Sequence, residues 1–194
     1  MSSEEIDTRS RILSATWQLL ELNEGKGVSM GAVAKAAGIS RQAVYLHFAS
    51  RTELMIATMH YVDEVKGLQD RFAEFESART GTELVEACVE VWGNYIPEIY
   101  SMARAMMLNR DADEAMATAW NEGMQCLREV CQQAVEMLAA EGKLAQQWQT
   151  ATATDVFWSL ISIDQWERMT IDCGWSQDEY IAHMKALLKR VLIA

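Results

Sequence analysis

The chain has 194 residues, half of them hydrophobic and 23% charged, with a formal net charge of -11. That composition buries a core and excludes a disordered chain. One proline, Pro97, and ten glycines leave too few turn residues for a strand-rich protein of this size.

The charge is unevenly placed. From Thr8 to Arg51 six basic residues (Arg9, Arg11, Lys26, Lys35, Arg41, Arg51) face two acidic ones, Glu21 and Glu24. The net negative charge lies entirely beyond residue 53, where 22 acidic residues face 11 basic ones. An acidic body repels phosphate and leaves a small N-terminal head able to approach nucleic acid. The cysteines, Cys88, Cys126, Cys131 and Cys173, form no C-x-x-C pair and lie far in sequence from the histidines, so no metal is expected. They read as reduced, mostly buried thiols. The acidic, polar start and the lack of any apolar run of roughly 18 residues predict a cytoplasmic protein outside the membrane.

In chain order, a first helix is predicted from about Asp7 to Glu21, where Ile12, Ala15, Thr16, Leu19 and Leu20 recur at helical spacing. A short second helix spans Met30 to Ala37, capped by Ser29. Gly38 ends it in the left-handed conformation. Ser40 caps a third helix, Arg41 to Phe48, and Ser50 a fourth that starts at Arg51 and runs past Tyr61. A helix from Thr82 to Ile96 meets Pro97, which breaks or kinks it, and a continuation follows. Further helices are predicted over Asp113 to Ala140, with Glu141-Gly142-Lys143 as exit, and over Thr152 to Cys173, ended by Gly174. The last is capped by Ser176. The expected fold is all-α, divided into residues 1–53 as a three-helix head and 54–194 as a helical body.

Two short helices joined by a glycine turn, the second opening at a serine, make a helix-turn-helix, whose second helix offers its N-terminal side chains to the major groove. Val33-Ala34-Lys35-Ala36-Ala37-Gly38-Ile39-Ser40 supplies small residues for a close crossing and the turn itself. Within the third helix, Val44 and Phe48 lie four apart and face the core. Tyr45, His47 and Arg51 are left to contact phosphate, and Ser29, at another helix start, can do the same. Arg41, Gln42, Ala43 and Leu46 are left for base edges, because arginine suits guanine, glutamine suits adenine and apolar groups suit the thymine methyl.

Ala37-Gly38-Ile39-Ser40, Val44-Tyr45-Leu46-His47-Phe48 and Ser50-Arg51-Thr52-Glu53-Leu54 together resemble the end of the head in the tetracycline-repressor (TetR) family. The resemblance covers roughly the first quarter of the chain. It implies the phosphate and base roles just given, a homodimer on a double-stranded DNA operator, a small-molecule effector and most often repression. Gln42 stands where that family often has glycine and Ala43 where it often has a small hydroxyl residue, which alters the operator read.

Seven tryptophans and twelve methionines lie mostly beyond residue 53. Trp92, Tyr95, Tyr100, Met106, Trp120, Met124 and Trp158 fall on predicted inner faces and are the candidates to line an effector pocket, with ordinary core packing as the other reading of each. Asp164, inside an apolar run, has three open roles: anchor for a cationic ligand, partner of an arginine, or interface residue. The rival class is a helical enzyme or carrier. No H-E-x-x-H, glycine-rich phosphate loop or G-x-S-x-G supports it, and no cofactor is called for.

Overall fold

The computed structural model describes residues 3–194, which fold into ten α-helices and one π-helix. Among the described residues the only extended pairing is an isolated bridge between Leu144 and Ile193. No helix among them is long and apolar enough to cross a membrane. The helices form two compact units. One holds the chain up to Gly67 together with Ile99–Asn121, the other Leu68–Glu98 and Glu122–Ala194.

The first unit is built on α1 (Ser3–Leu22), α2 (Met30–Ala37), α3 (Arg41–His47) and α4 (Arg51–Val65). Its core is Ile12, Leu20, Val33, Val44, Phe48, Leu54 and Met55, all fully buried. Thr16 and Thr58 sit among them because each hydroxyl donates to the carbonyl four residues back, Ile12 at 2.8 Å and Leu54 at 2.7 Å. The predicted turn is present. Gly38 has φ 69° and ψ 32°, and the N–H groups of Gly38 and Ile39 bond back to Lys35 and Ala34 at 3.3 and 3.0 Å. These are the paired bonds that satisfy the last carbonyls of a helix. α4 runs past Tyr61, as expected; Gly67, at φ 66°, ends it in the same left-handed way, and a separate α5 (Leu68–Glu76) follows.

The second unit shows where the sequence reading needs correction. Pro97 does not break its helix: α6 runs from Gly81 to Arg110 with Pro97 inside it. A proline cannot donate to the carbonyl four residues earlier, here Gly93. That oxygen instead accepts from the side-chain amide of Gln177 at 2.7 Å. The same amide's oxygen accepts the Trp166 indole N–H at 3.0 Å. α7 (Glu114–Ala140) leaves through Gly142 at φ 69°, as expected.

The helix predicted over Thr152 to Cys173 is three pieces: α8 (Thr150–Leu160), α9 (Ile163–Glu167) and a π-helix (Arg168–Asp172). Ser162 makes the break by capping α9, accepting from Gln165 N–H at 3.2 Å, a role serine favours over mid-helix positions. The carbonyl of Ile161, freed by the break, accepts the Trp92 indole N–H at 2.8 Å. Asp164 lies exposed in the first turn of α9.

α10 (Gln177–Leu192) opens with a full capping box between Ser176 and Glu179. Those hydrogen bonds from the Ser176 backbone and hydroxyl hold the Glu179 carboxyl below the usual carboxylate range. Against α6 it forms a ladder of ion pairs, Glu86 with Lys189 at 2.6 Å and Glu90 with Lys185. Gly93 allows this approach, since a Cβ there would lie 3.1 Å from Ile181. Of the four thiols only Cys88 and Cys131 are buried; Cys126 and Cys173 are exposed. Burial pushes the Cys131 thiol well up, with Cys88 beside it.

Replacing Gln177 by leucine orphans both the Gly93 carbonyl and the Trp166 indole. Chemical denaturation followed by tryptophan fluorescence should show a loss of about 1–3 kcal/mol for each buried group left unpaired. Adding Pro97→Ala returns an N–H donor to Gly93 and should recover part of that loss.

Candidate nucleic-acid interface

Three serines set the geometry of the head. Ser29, Ser40 and Ser50 have extended backbone and accept from the N–H groups of Ala32, Ala43 and Glu53 at 3.2, 3.1 and 3.0 Å. Each cap closes one of the unpaired donors at a helix start and fixes where α2, α3 and α4 begin. Ser29 is exposed in this role, so its hydroxyl acts first as a cap.

With Val44 and Phe48 fully buried, the rest of α3 is turned outward. Arg41 and Gln42 are exposed and Ala43 half-buried. Tyr45 is 41% exposed and Leu46 83% exposed. An aliphatic side chain that open gains nothing from folding. The Arg41 guanidinium lies 5.6 Å from the centre of the Tyr45 ring and donates to its hydroxyl at 3.4 Å. These two side chains, one turn apart, therefore form a single polar and cationic ridge. His47, the last residue of α3, is half-buried.

Two arginines read from the sequence as part of the head's basic charge have structural work as well. Arg9 donates to the His47 carbonyl at 3.4 Å and stacks 4.4 Å from the centre of the Phe48 ring. Arg11 donates to the Ala37 carbonyl at 3.4 Å. Both cations from α1 thus sit at C-terminal ends of the helix-turn-helix, where partial negative charge collects. Nothing local in the spacing Arg9-x-Arg11 showed which carbonyls lie across from these side chains.

Arg51 opens α4. It is exposed, and its guanidinium donates to Asn109 Oδ1 on α6 at 3.3 Å. The neighbouring Thr52 hydroxyl donates to Asp113, whose other oxygen caps α7 at the Met116 N–H, 3.0 Å away. These bonds, that from Thr52 foremost, hold the Asp113 carboxyl below its ordinary range. On the far side of the head, Arg104 donates to the Glu24 carbonyl at 2.9 Å. Gly25, at φ 72°, lies so close to α6 that a Cβ would stand 2.6 Å from the Ser101 oxygen. The end of α6 is thereby packed on the α1–α2 loop and on the start of α4.

The effector candidates divide between the units. Trp92, Tyr95, Met124 and Trp158 belong to the second, and Tyr100, Met106 and Trp120 to the first. Trp92 and Tyr95 touch, with ring centres 5.9 Å apart, and both are buried, as is Met106. Trp120 is buried beneath the Arg110 guanidinium, 5.6 Å from the ring, while Tyr100, Met124 and Trp158 are half-buried. The first unit also has an open groove of about 760 Å³ along α1 and α4, lined by Leu13, Ile56, His60 and Tyr61 among others. None of the candidates lines it.

An all-helical chain whose capped helix-turn-helix buries Val44 and Phe48 and turns Arg41, Gln42, Tyr45 and Leu46 outward defines a DNA-binding regulator. Residues 12–58 match the family model of bacterial regulatory proteins, tetR family. The nucleoid occlusion factor SlmA of a Marinomonas species is 34% identical over 64 residues, 33% of this chain and 32% of that protein. The chain thus spans about a third of the length of the curated relatives it matches. Two solved structures share the fold almost end to end. One is a transcriptional regulator from Saccharomonospora viridis in complex with choline, with a TM-score of 0.82, 15% identity and coverage of 97% of this chain and 98% of that one. The other is a TetR-family regulator from a Rhodococcus species, with a TM-score of 0.69, 18% identity and coverage of 95% and 98%. The head carries the family's sequence over residues 12–58, and the chain shares its fold with these solved regulators.

Ser40→Ala removes the cap of α3 without changing charge. It should cost about 1 kcal/mol, read as an approximately fivefold rise in amide hydrogen exchange at Ala43.

Proposed function

We propose that this protein is a ligand-responsive repressor acting in the cytoplasm as a homodimer on a palindromic operator. The observation that carries the reading is the outward face of α3 inside the segment matched to the family: a basic and polar ridge with an 83% exposed leucine beside it. Arg41, Gln42, Ala43 and Leu46 read base edges in the major groove, while Ser29, Tyr45, His47 and Arg51 hold phosphates. Residues 1–53 serve as the DNA-binding domain and 54–194 as the domain for effector and partner subunit.

The dimer pairs α8 and α10 with their copies in a four-helix contact. Leu187, 41% exposed on α10, and Ile171, 53% exposed on the π-helix, support a surface that a second copy covers. Two heads then stand about 34 Å apart, one turn of DNA. The effector is a small hydrophobic or aromatic molecule taken up by some of Trp92, Tyr95, Tyr100, Met106, Trp120, Met124 and Trp158. It releases the operator by binding more tightly to the conformation that cannot hold DNA. The aromatic lining and the acidic body favour a cation over an anion, and the choline complex of the Saccharomonospora viridis neighbour supports that preference.

The test is fluorescence anisotropy on an operator selected from random DNA. Two chains should bind per palindrome, and affinity should fall linearly in log–log form with salt. Arg51→Ala should weaken binding to all sequences alike and reduce the salt slope by about one. Changes at Arg41 or Gln42 should instead alter base preference by about 1–3 kcal/mol per lost bidentate contact. Aromatic or quaternary ammonium compounds that quench tryptophan fluorescence should release the DNA. Binding that ignores salt and sequence would count against the whole reading.

A further inference from the structure

The seat of Arg51 is more elaborate than a surface arginine needs. Its guanidinium lies against Gly27, where a Cβ would come within 2.9 Å of Nη2 and where φ is 101°. A side chain at position 27 would thus both strain the backbone and push Arg51 away. The Nη2 group donates to Asn109 Oδ1 at 3.3 Å. Asn109 is not free to turn, because its own Nδ2 donates to the Ala105 carbonyl one turn back on α6 at 2.7 Å. That bond settles which end of the amide faces Arg51: the oxygen. The next residue of α4 is fixed as well, by the bond from Thr52 to Asp113.

We propose that Asn109, on the last turn of α6, is a positioning residue for the phosphate contact of Arg51. This rests on the reading of Arg51 as a phosphate ligand. A free arginine has one of the largest side-chain entropies to lose when it engages a phosphate. Here the Asn109 acceptor and the bare Gly27 backbone hold it in place beforehand. The amide is neutral and takes up one of the five guanidinium donors, leaving the full positive charge and the other donors for an approaching phosphate. The partner is therefore an acceptor that orients without neutralising. The immobilised arginine stands at the N-terminus of α4, whose free N–H groups attract the same anion.

The experiment measures operator binding of the full chain by anisotropy over a salt series, for wild type, Asn109→Ala, Arg51→Ala and the double variant. Asn109→Ala should bind about three- to tenfold more weakly, the cost of ordering one long side chain that is no longer held in advance. The salt slope should not change, because the same phosphate is still neutralised. In the Arg51→Ala background the Asn109 change should have no further effect, which a merely structural role for Asn109 would not produce. Asn109→Leu, close in size but with no acceptor, repeats the test with helix packing kept, and thermal melting of each variant checks the fold. Unchanged or tighter binding by both Asn109 variants would overturn the proposal, as would an equal loss in the absence of Arg51. A wild-type chain with no salt-dependent binding would overturn the DNA-binding reading itself, and this proposal with it.

Discussion

The helix-turn-helix depends on the burial of Val44 and Phe48. Val44, on a helix only seven residues long, and Phe48, the extended residue that ends it, are both fully enclosed. A helix that short has no stability of its own and is held by packing. Fixing two residues of one face inside the head leaves no choice for the others, so Arg41, Gln42, Tyr45 and Leu46 must face outward. The crossing itself needs Gly38 in the left-handed region and Val33 on α2 fully buried. Burial of these apolar groups contributes about 1.5–3 kcal/mol each, which offsets leaving Leu46 in water.

The first unit extends this logic past the head. Arg9 and Arg11 steady the C-terminal ends of α3 and α2, while the end of α6 and the turn into α7 engage the head at two places. At one, Gly25 lets the α1–α2 loop approach Ser101 and Arg104. At the other, Asn109 and Asp113 hold the first two residues of α4. Arg51 and Thr52 are thus tied to the corner between α6 and α7. Any change in that corner bears directly on Arg51, which links the start of α4 to the helices that follow the head.

Legibility in the sequence followed the range of the forces involved. Ser29, Gly38, Ser40, Ser50 and Ser176 were readable because a cap or a left-handed turn is decided within four residues. The inward face of α3 was readable from periodicity alone. Of the two readings of Pro97, a break or a kink, the break does not occur, because Gln177, distant in sequence, supplies the missing donor. The break at Ser162 was hidden because one serine in an apolar run caps a helix or rides within one, and packing around Trp92 and Ile161 decides. The second roles of Arg9 and Arg11 were hidden because a basic residue in a sequence does not show which carbonyl lies opposite. The aromatic candidates for the effector shared a predicted inner face, a property that core residues share too, and they fall in two units.

The central claim is that the face of α3 bearing Leu46 lies in the major groove. The most direct test replaces Leu46 with a photo-crosslinking amino acid in the full chain bound to its selected operator. Leu22, at the end of α1, is 79% exposed against 83% for Leu46, and serves as a matched control. The account predicts crosslinks from position 46 to bases within each half-site and none from position 22. Equal crosslinking from both positions, or none from position 46 on DNA that is demonstrably bound, would contradict it.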